Sequence, residues 1–123
     1  MTTEINENKK ILIVDDNPRN VEVVANLLSG NNYDIEFAIS GEEALEWAEK
    51  AAFDLILMDI MMPGIDGYEA CRQIKEKKAC RDVPVIFLTA KTDTESLSKA
   101  FRAGGVDYVS KPFRSEELLA RVA

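Results

Sequence analysis

Two rhythms of apolar and polar positions alternate along this chain. Ile11-Leu12-Ile13-Val14 is an unbroken, β-branched-rich run, which predicts a strand buried on both faces. Pro18 suits the first turn of a helix, and Val21, Val24, Ala25 and Leu28 then recur at helical spacing until Gly30-Asn31-Asn32 stops the pattern. Residues 34–39 alternate, with Ile35, Phe37 and Ile39 on one face and Asp34 and Glu36 on the other, which predicts a strand with one wet side. Ser40-Gly41-Glu42-Glu43 is a capping-box sequence opening a helix with Ala44, Leu45, Ala48 and Ala52 turned inward. Leu55-Ile56-Leu57-Met58 is the next buried strand. A loop through Pro63-Gly64 leads to a helix over about 67–77 that buries Cys71 and Ile74. Val85-Ile86-Phe87-Leu88 predicts another buried strand, followed by a helix over about 94–103 and a short strand over 106–109. Ser115 is placed to cap a last helix bearing Leu118, Leu119 and Val122. Polar residues 1–9 read as a flexible leader, so the folded domain is expected over 10–123.

Alternating strands and helices predict an α/β fold built on a parallel five-stranded sheet. The first, third and fourth strands are apolar on both faces and therefore central. The second and fifth carry Asp34, Glu36 and Asp107, which blunt exposed edges. Right-handed crossovers then favour the order 2-1-3-4-5, with a topological switch between the first and third strands.

Composition narrows the chemistry. A length of 123 residues suits one continuous core. The net charge of −7 repels phosphate backbones and anionic lipid, which weighs against direct nucleic-acid or membrane binding. No apolar run reaches membrane-spanning length, and the N-terminus lacks a signal-peptide core, so a cytoplasmic location is expected. Cys71 and Cys80 then read as two reduced thiols. The chain has no histidine, which removes Ser-His-Asp hydrolysis, Cys-His catalysis and histidine-ligated zinc. What remains is carboxylates, lysine, hydroxyls and a hard cation.

The predicted topology delivers those groups to one rim. Asp15-Asp16 ends the first strand and Asp59 the third, its neighbour; Thr89 ends the fourth, and Lys111-Pro112 follows the fifth. That rim is where sheets of this kind bind ligands. Taken alone, Asp15-Asp16 before a helix fits a cap better than a metal site, and Lys111 fits a solvated charge. Taken together, three converging carboxylates repel one another unless a cation sits among them. With no histidine in the chain the matching cation is Mg²⁺ or Mn²⁺, which keeps several waters and gains oxygens from a phosphate. An aspartate beside it can act as nucleophile, while Lys111 and the Thr89 hydroxyl can bind phosphoryl oxygens. Gly64 and Gly67 serve either a close approach of the following loop or a plain turn. Trp47 reads as packing or surface, and Lys75-Glu76-Lys77-Lys78 as a solvated helix end.

Four separated segments carry a resemblance. Ile11-Leu12-Ile13-Val14-Asp15-Asp16-Asn17, Leu57-Met58-Asp59-Ile60-Met61-Met62-Pro63-Gly64-Ile65-Asp66-Gly67, Ile86-Phe87-Leu88-Thr89-Ala90 and Asp107-Tyr108-Val109-Ser110-Lys111-Pro112-Phe113 resemble the receiver domain of bacterial response regulators. The resemblance spans residues 10–123 and implies a flavodoxin-like (βα)5 three-layer sandwich. It implies Asp59 as phosphoacceptor, Asp16, Asp59 and the Met61 carbonyl as direct Mg²⁺ ligands, and Asp15 acting through coordinated water. It further implies that Lys111 pairs with the phosphoryl group across a cis Lys111–Pro112 peptide. Thr89 and Tyr108 would be the switch pair, and a histidine kinase or phosphotransfer protein the donor. The segments Asp16-Asn17-Pro18-Arg19-Asn20 and Gly104-Gly105-Val106-Asp107 look more like receivers joined to signalling enzymes or hybrid kinases than like those of simple DNA-binding regulators.

An aspartyl-nucleophile phosphohydrolase is the competing function. Such enzymes usually carry nucleophile and second aspartate two residues apart on one strand, whereas here Asp15-Asp16 are adjacent and Asp59 lies on another strand. The chain is therefore expected to catalyse only its own phosphorylation and dephosphorylation. A phosphate-independent interaction module and a flavin-binding domain fit less well, since the acid set is complete and no hydroxyl-rich loop follows the first strand. The last helix pattern still runs at Ala123, so that helix is expected to be truncated from a longer chain carrying an output domain. The face of the last two helices and fifth strand would then be the signalling surface and a candidate homodimer interface.

Overall fold

The computed structural model describes residues 9–28, 33–89 and 94–110. They form β1 (Lys9–Val14), α1 (Pro18–Leu28), β2 (Tyr33–Ala38), α2 (Gly41–Lys50), β3 (Leu55–Asp59), α3 (Gly67–Glu76), β4 (Val85–Thr89), α4 (Thr94–Arg102) and β5 (Asp107–Ser110), with a 3-10 turn at Lys78–Cys80. All the strand pairs are parallel, and the sheet order is β2-β1-β3-β4-β5. That order follows from burial: Ile11 to Val14 and the whole of β3 and β4 are buried, so these strands need neighbours and cover on both faces.

Side chains alternate into two cores. Leu12, Val14, Ile56, Met58, Val85 and Phe87 pack against Ala44 and Ala48 of α2, Ala70, Cys71 and Ile74 of α3, and Ala100 of α4. Ile11, Ile13, Leu57, Ile86, Leu88 and Val109 pack on the opposite face against Val21, Val24 and Leu28 of α1. Each fully buried Leu, Ile or Phe contributes about 1.5–3 kcal/mol of transfer free energy. Ser40 caps α2, its hydroxyl accepting from Glu43 N at 3.0 Å, and Glu43 Oε1 accepts from Ile39 N at 3.3 Å. Trp47 stands edge-on to Phe53, with ring centroids 6.2 Å apart.

Several boundaries differ from the hydrophobic reading, each for a local reason. β1 begins two residues earlier, because Lys9 and Lys10 pair with Tyr33 and Asp34, and Lys10 N donates to Asp54 Oδ2 at 2.8 Å. A polar strand end is invisible to a pattern of apolar residues. The wet and dry sides of β2 do not separate as its alternation suggests: Phe37 and Ile39 are 56% and 48% exposed, while Glu36 is half-buried. Both apolar side chains line a cleft with Pro18, Val21 and Ala25, so α1 only partly covers this edge strand. Ala52 lies beyond α2, which stops where Ala51 turns extended, and it is exposed rather than core. Val106 precedes β5 and is exposed, its N–H donating to Val85 O at 2.9 Å. The 3-10 turn was not expected, and it buries Cys80. The stop at Gly30-Asn31-Asn32, the Ser115 cap and the last helix lie outside the described residues, as does most of the leader.

Candidate functional site

The rim at the C-terminal ends of the strands collects acids because the register places them there. Val14 pairs with Met58, so Asp15 and Asp59 are the next residues on adjacent strands. Asp15 is 1% exposed and Asp59 4%, while Asp16 faces solvent. One carboxylate oxygen from each of Asp15, Asp16 and Asp59 lies within 4.8 Å of the others. Carboxylates at that separation repel when ionised, and buried ones need a partner of opposite charge. A divalent cation with a taste for oxygen satisfies all three at once.

The capping role belongs to Asn17, not to the aspartate pair. Asn17 Oδ1 accepts from Arg19 N at 2.9 Å, and Val21 N donates to Asn17 O, which opens α1. Asp15 Oδ1 accepts from Asn17 N at 2.9 Å, and Asp15 N donates to Ala38 O at 3.1 Å. These bonds fix the turn that presents Asp16 beside Asp59. The sequence offered three acceptor side chains in a row before Pro18, and only geometry separates cap from cluster.

The loop after Asp59 is held from two sides. Gly67 N donates to Ile60 O at 2.9 Å, and a Cβ on Gly67 would lie 2.2 Å from Asp59 O, so only glycine lets α3 start this close to the strand end. Gly64 has φ +79°, which makes it the turn residue. Both readings of the glycines therefore apply, one to each. Asp66 caps α3 by accepting from Glu69 N at 2.9 Å, and Glu42 Oε2 of α2 accepts from Ile65 N at 3.3 Å. Glu42 was missed because nothing local to it signals a contact across 23 residues. Met61 is 62% exposed, whereas Met62 is buried.

Thr89 ends β4 at 2% exposure, and Tyr108 of β5 is half-buried opposite Phe87. Lys111, Pro112 and the peptide between them lie outside the described residues. Away from the rim, Cys71 and Cys80 are buried free thiols. Burial pushes the Cys71 thiol up to about 11, against a smaller opposing effect of Lys75. Lys75 is not simply solvated: its ammonium donates to Arg81 O at 3.2 Å and to Val83 O, tying α3 to the segment before β4. Lys77 pairs with Glu49 at 2.9 Å.

An α/β sheet of this order with an acid cluster at its switch point defines a class, and the sequence comparisons agree with it. Residues 11–123 match the response regulator receiver domain, and the chain belongs to that family, whose members are phosphoacceptors in two-component signalling. It is 47% identical over 113 residues to the transcriptional regulatory protein ResD of Bacillus subtilis, covering 92% of this chain and 46% of ResD. The chain spans about half the length of the curated relatives it matches. Among solved structures, the chemotaxis protein CheY4 of Vibrio cholerae superposes with a TM-score of 0.90 at 32% identity, covering 94% of this chain and 97% of that one. The receiver domain of sensor histidine kinase PA1611 from Pseudomonas aeruginosa, with a magnesium ion coordinated in its active-site cleft, superposes with a TM-score of 0.87 at 36% identity, covering 94% and 95%. Among the described residues, no helix is long and apolar enough to cross a membrane.

Proposed function

We propose that Asp59 is the phosphoacceptor and that Asp15, Asp16, Asp59 and the Met61 carbonyl hold Mg²⁺, with Asp15 acting through coordinated water. The observation that carries this reading is the meeting of three carboxylates within 4.8 Å at the ends of two adjacent strands. Asp59 is the nucleophile because it sits at the centre of the sheet edge, between Asp15 on one side and Thr89 on the other. Its carboxylate oxygen attacks phosphorus, a P–O bond forms, the P–N bond of a phosphohistidine breaks, and the released imidazole takes up a proton. Bound Mg²⁺ would neutralise charge shared between the carboxylates and the phosphoryl oxygens. Thr89 would donate its hydroxyl to one phosphoryl oxygen and Lys111 would pair with another. Tyr108 would turn inward with Thr89.

The donor is a histidine kinase or phosphotransfer protein, since a chain without histidine cannot form its own phosphohistidine. The chain catalyses only its own phosphorylation and dephosphorylation, and switches an output domain in a longer chain. The face of α4 and β5, with Phe101 50% and Val106 56% exposed, is the signalling surface and a homodimer contact. An aspartyl-nucleophile phosphohydrolase usually carries a second aspartate two residues from its nucleophile, and the position two residues after Asp59 is Met61.

Incubation with acetyl phosphate and Mg²⁺, followed by intact-mass measurement, tests the assignment. One phosphoryl group is expected on the parent chain and none on Asp59→Asn. Equal modification of both would remove Asp59 from the role.

A further inference from the structure

α4 is loosely seated. Of residues 95–102 only Ala100 is buried; Ser96 and Leu97 are half-buried and the rest are exposed. A helix with so little apolar cover sits at the low end of local stability, so single polar contacts weigh heavily in its position. One such contact comes from Tyr68, in the first turn of α3, whose hydroxyl donates to Ser96 O at 3.1 Å. Its ring packs on Phe87 with centroids 5.7 Å apart, and Lys99 Nζ lies 5.2 Å from its centroid. The same ring lines a cleft of about 260 Å³ that has Ile60 and Met61 on one wall and Glu95 and Lys99 on the other. Tyr68 thus joins three elements: it belongs to the start of α3 behind the Asp59 loop, its ring touches the strand that ends in Thr89, and its hydroxyl touches the first turn of α4.

We infer that Tyr68 is a positioning residue for the switch, a latch that holds the first turn of α4 through Ser96 in the unphosphorylated chain and lets go when Thr89 moves toward the phosphoryl group. This rests on the reading of Asp59 as acceptor and Thr89 as switch. Thr89 follows Phe87 by two residues on β4, and Phe87 carries the Tyr68 ring, so a shift at the end of β4 reaches the ring that holds α4. A hydrogen bond made in one state only biases the equilibrium by its own net contribution, which corresponds to about two- to tenfold in population. Tyr68→Phe deletes that bond and keeps the ring against Phe87 and Lys99.

Amide hydrogen exchange of the 123-residue chain, read by mass spectrometry, tests the latch. In the unmodified protein, Tyr68→Phe should speed exchange in peptides covering the start of α4 by about two- to tenfold, with α1 and α2 unchanged. It should raise the rate of phosphorylation by acetyl phosphate by a similar factor while leaving Mg²⁺ affinity where it was. With beryllofluoride and Mg²⁺ as a stable phosphoryl mimic, the two proteins should exchange alike at α4. Unchanged exchange at α4 in the unmodified variant overturns the latch. Faster exchange with an unaltered phosphorylation rate, or a difference that survives beryllofluoride, overturns its coupling to the switch. If beryllofluoride leaves exchange around Asp59 unchanged in both proteins, the acceptor reading fails instead, and the comparison of unmodified proteins still decides whether Tyr68 holds α4.

Discussion

Asp15, Asp59 and Thr89 are the buried polar residues among those described, and all three sit at strand ends on one rim. A buried polar group must be matched: Asp15 accepts from Asn17 N, and the proposed Mg²⁺ would answer the charge of the two buried carboxylates. The thiol of Cys71 shows the contrasting case of a weakly polar group buried in the core away from the rim. It donates to Ala103 O at 3.3 Å and stays neutral well above the ordinary range. Because its folded value near 11 exceeds the ordinary 9.0, the folded chain keeps a proton that the unfolded chain loses. Its contribution to stability is therefore complete below pH 9 and is lost as pH rises from 9 toward 11. Denaturant melts of parent and Cys71→Ala chains across that range should show the parent losing its advantage; a constant difference would contradict the burial effect. At this scale the polar groups were legible as a set, since the acids Asp15, Asp16 and Asp59 and the hydroxyl of Thr89 all close apolar runs. The separate tasks of Asp15, Asp16 and Asn17 were not, because all three are short acceptors and only the turn geometry assigns the cap.

Among the elements, the strands buried on both faces were the easiest to read and the edge strand the hardest. β3 and β4 are continuous apolar runs that leave no alternative to a central position. β2 carries an alternation whose dry face is covered only at Ile35, while Phe37 and Ile39 stay exposed, since α1 is too narrow a cover at that edge. Alternation states which residues share a face, and says nothing of whether a neighbour arrives to bury it. The start of α2 is legible because Ser40 caps it, whereas the Asp66 cap of α3 emerges only from the structure. Removing the first of these should cost about 1 kcal/mol: Ser40→Ala leaves Glu43 N without its side-chain acceptor. A melting temperature equal to that of the parent would mean that the Ser40 hydroxyl adds nothing to the start of α2.

At the scale of the whole molecule, the fold brings together groups from strands that are distant in sequence. The order β2-β1-β3-β4-β5 sets Asp15 beside Asp59 and Asp59 beside the strand of Thr89. It could be argued from sequence because only central strands tolerate apolar residues on both faces. Lys111 and the last helix lie outside the described residues. Three carboxylates in mutual repulsion make the native state a preferential binder of a divalent cation, and binding to the native state alone stabilises it. The melting temperature should therefore climb with added Mg²⁺, by an amount set by concentration over Kd, and Asp16→Ala should blunt the rise. A melting curve indifferent to millimolar Mg²⁺ would speak against the metal site.

The most direct measurement is to locate the phosphoryl group itself. After reaction with acetyl phosphate and Mg²⁺, reduction with borohydride converts an aspartyl phosphate to homoserine, which peptide mass spectrometry places by residue. The account predicts homoserine at position 59 alone, and none when the cation is chelated. Homoserine at position 15 or 16, or a label at 59 that forms equally well without a divalent cation, would contradict it.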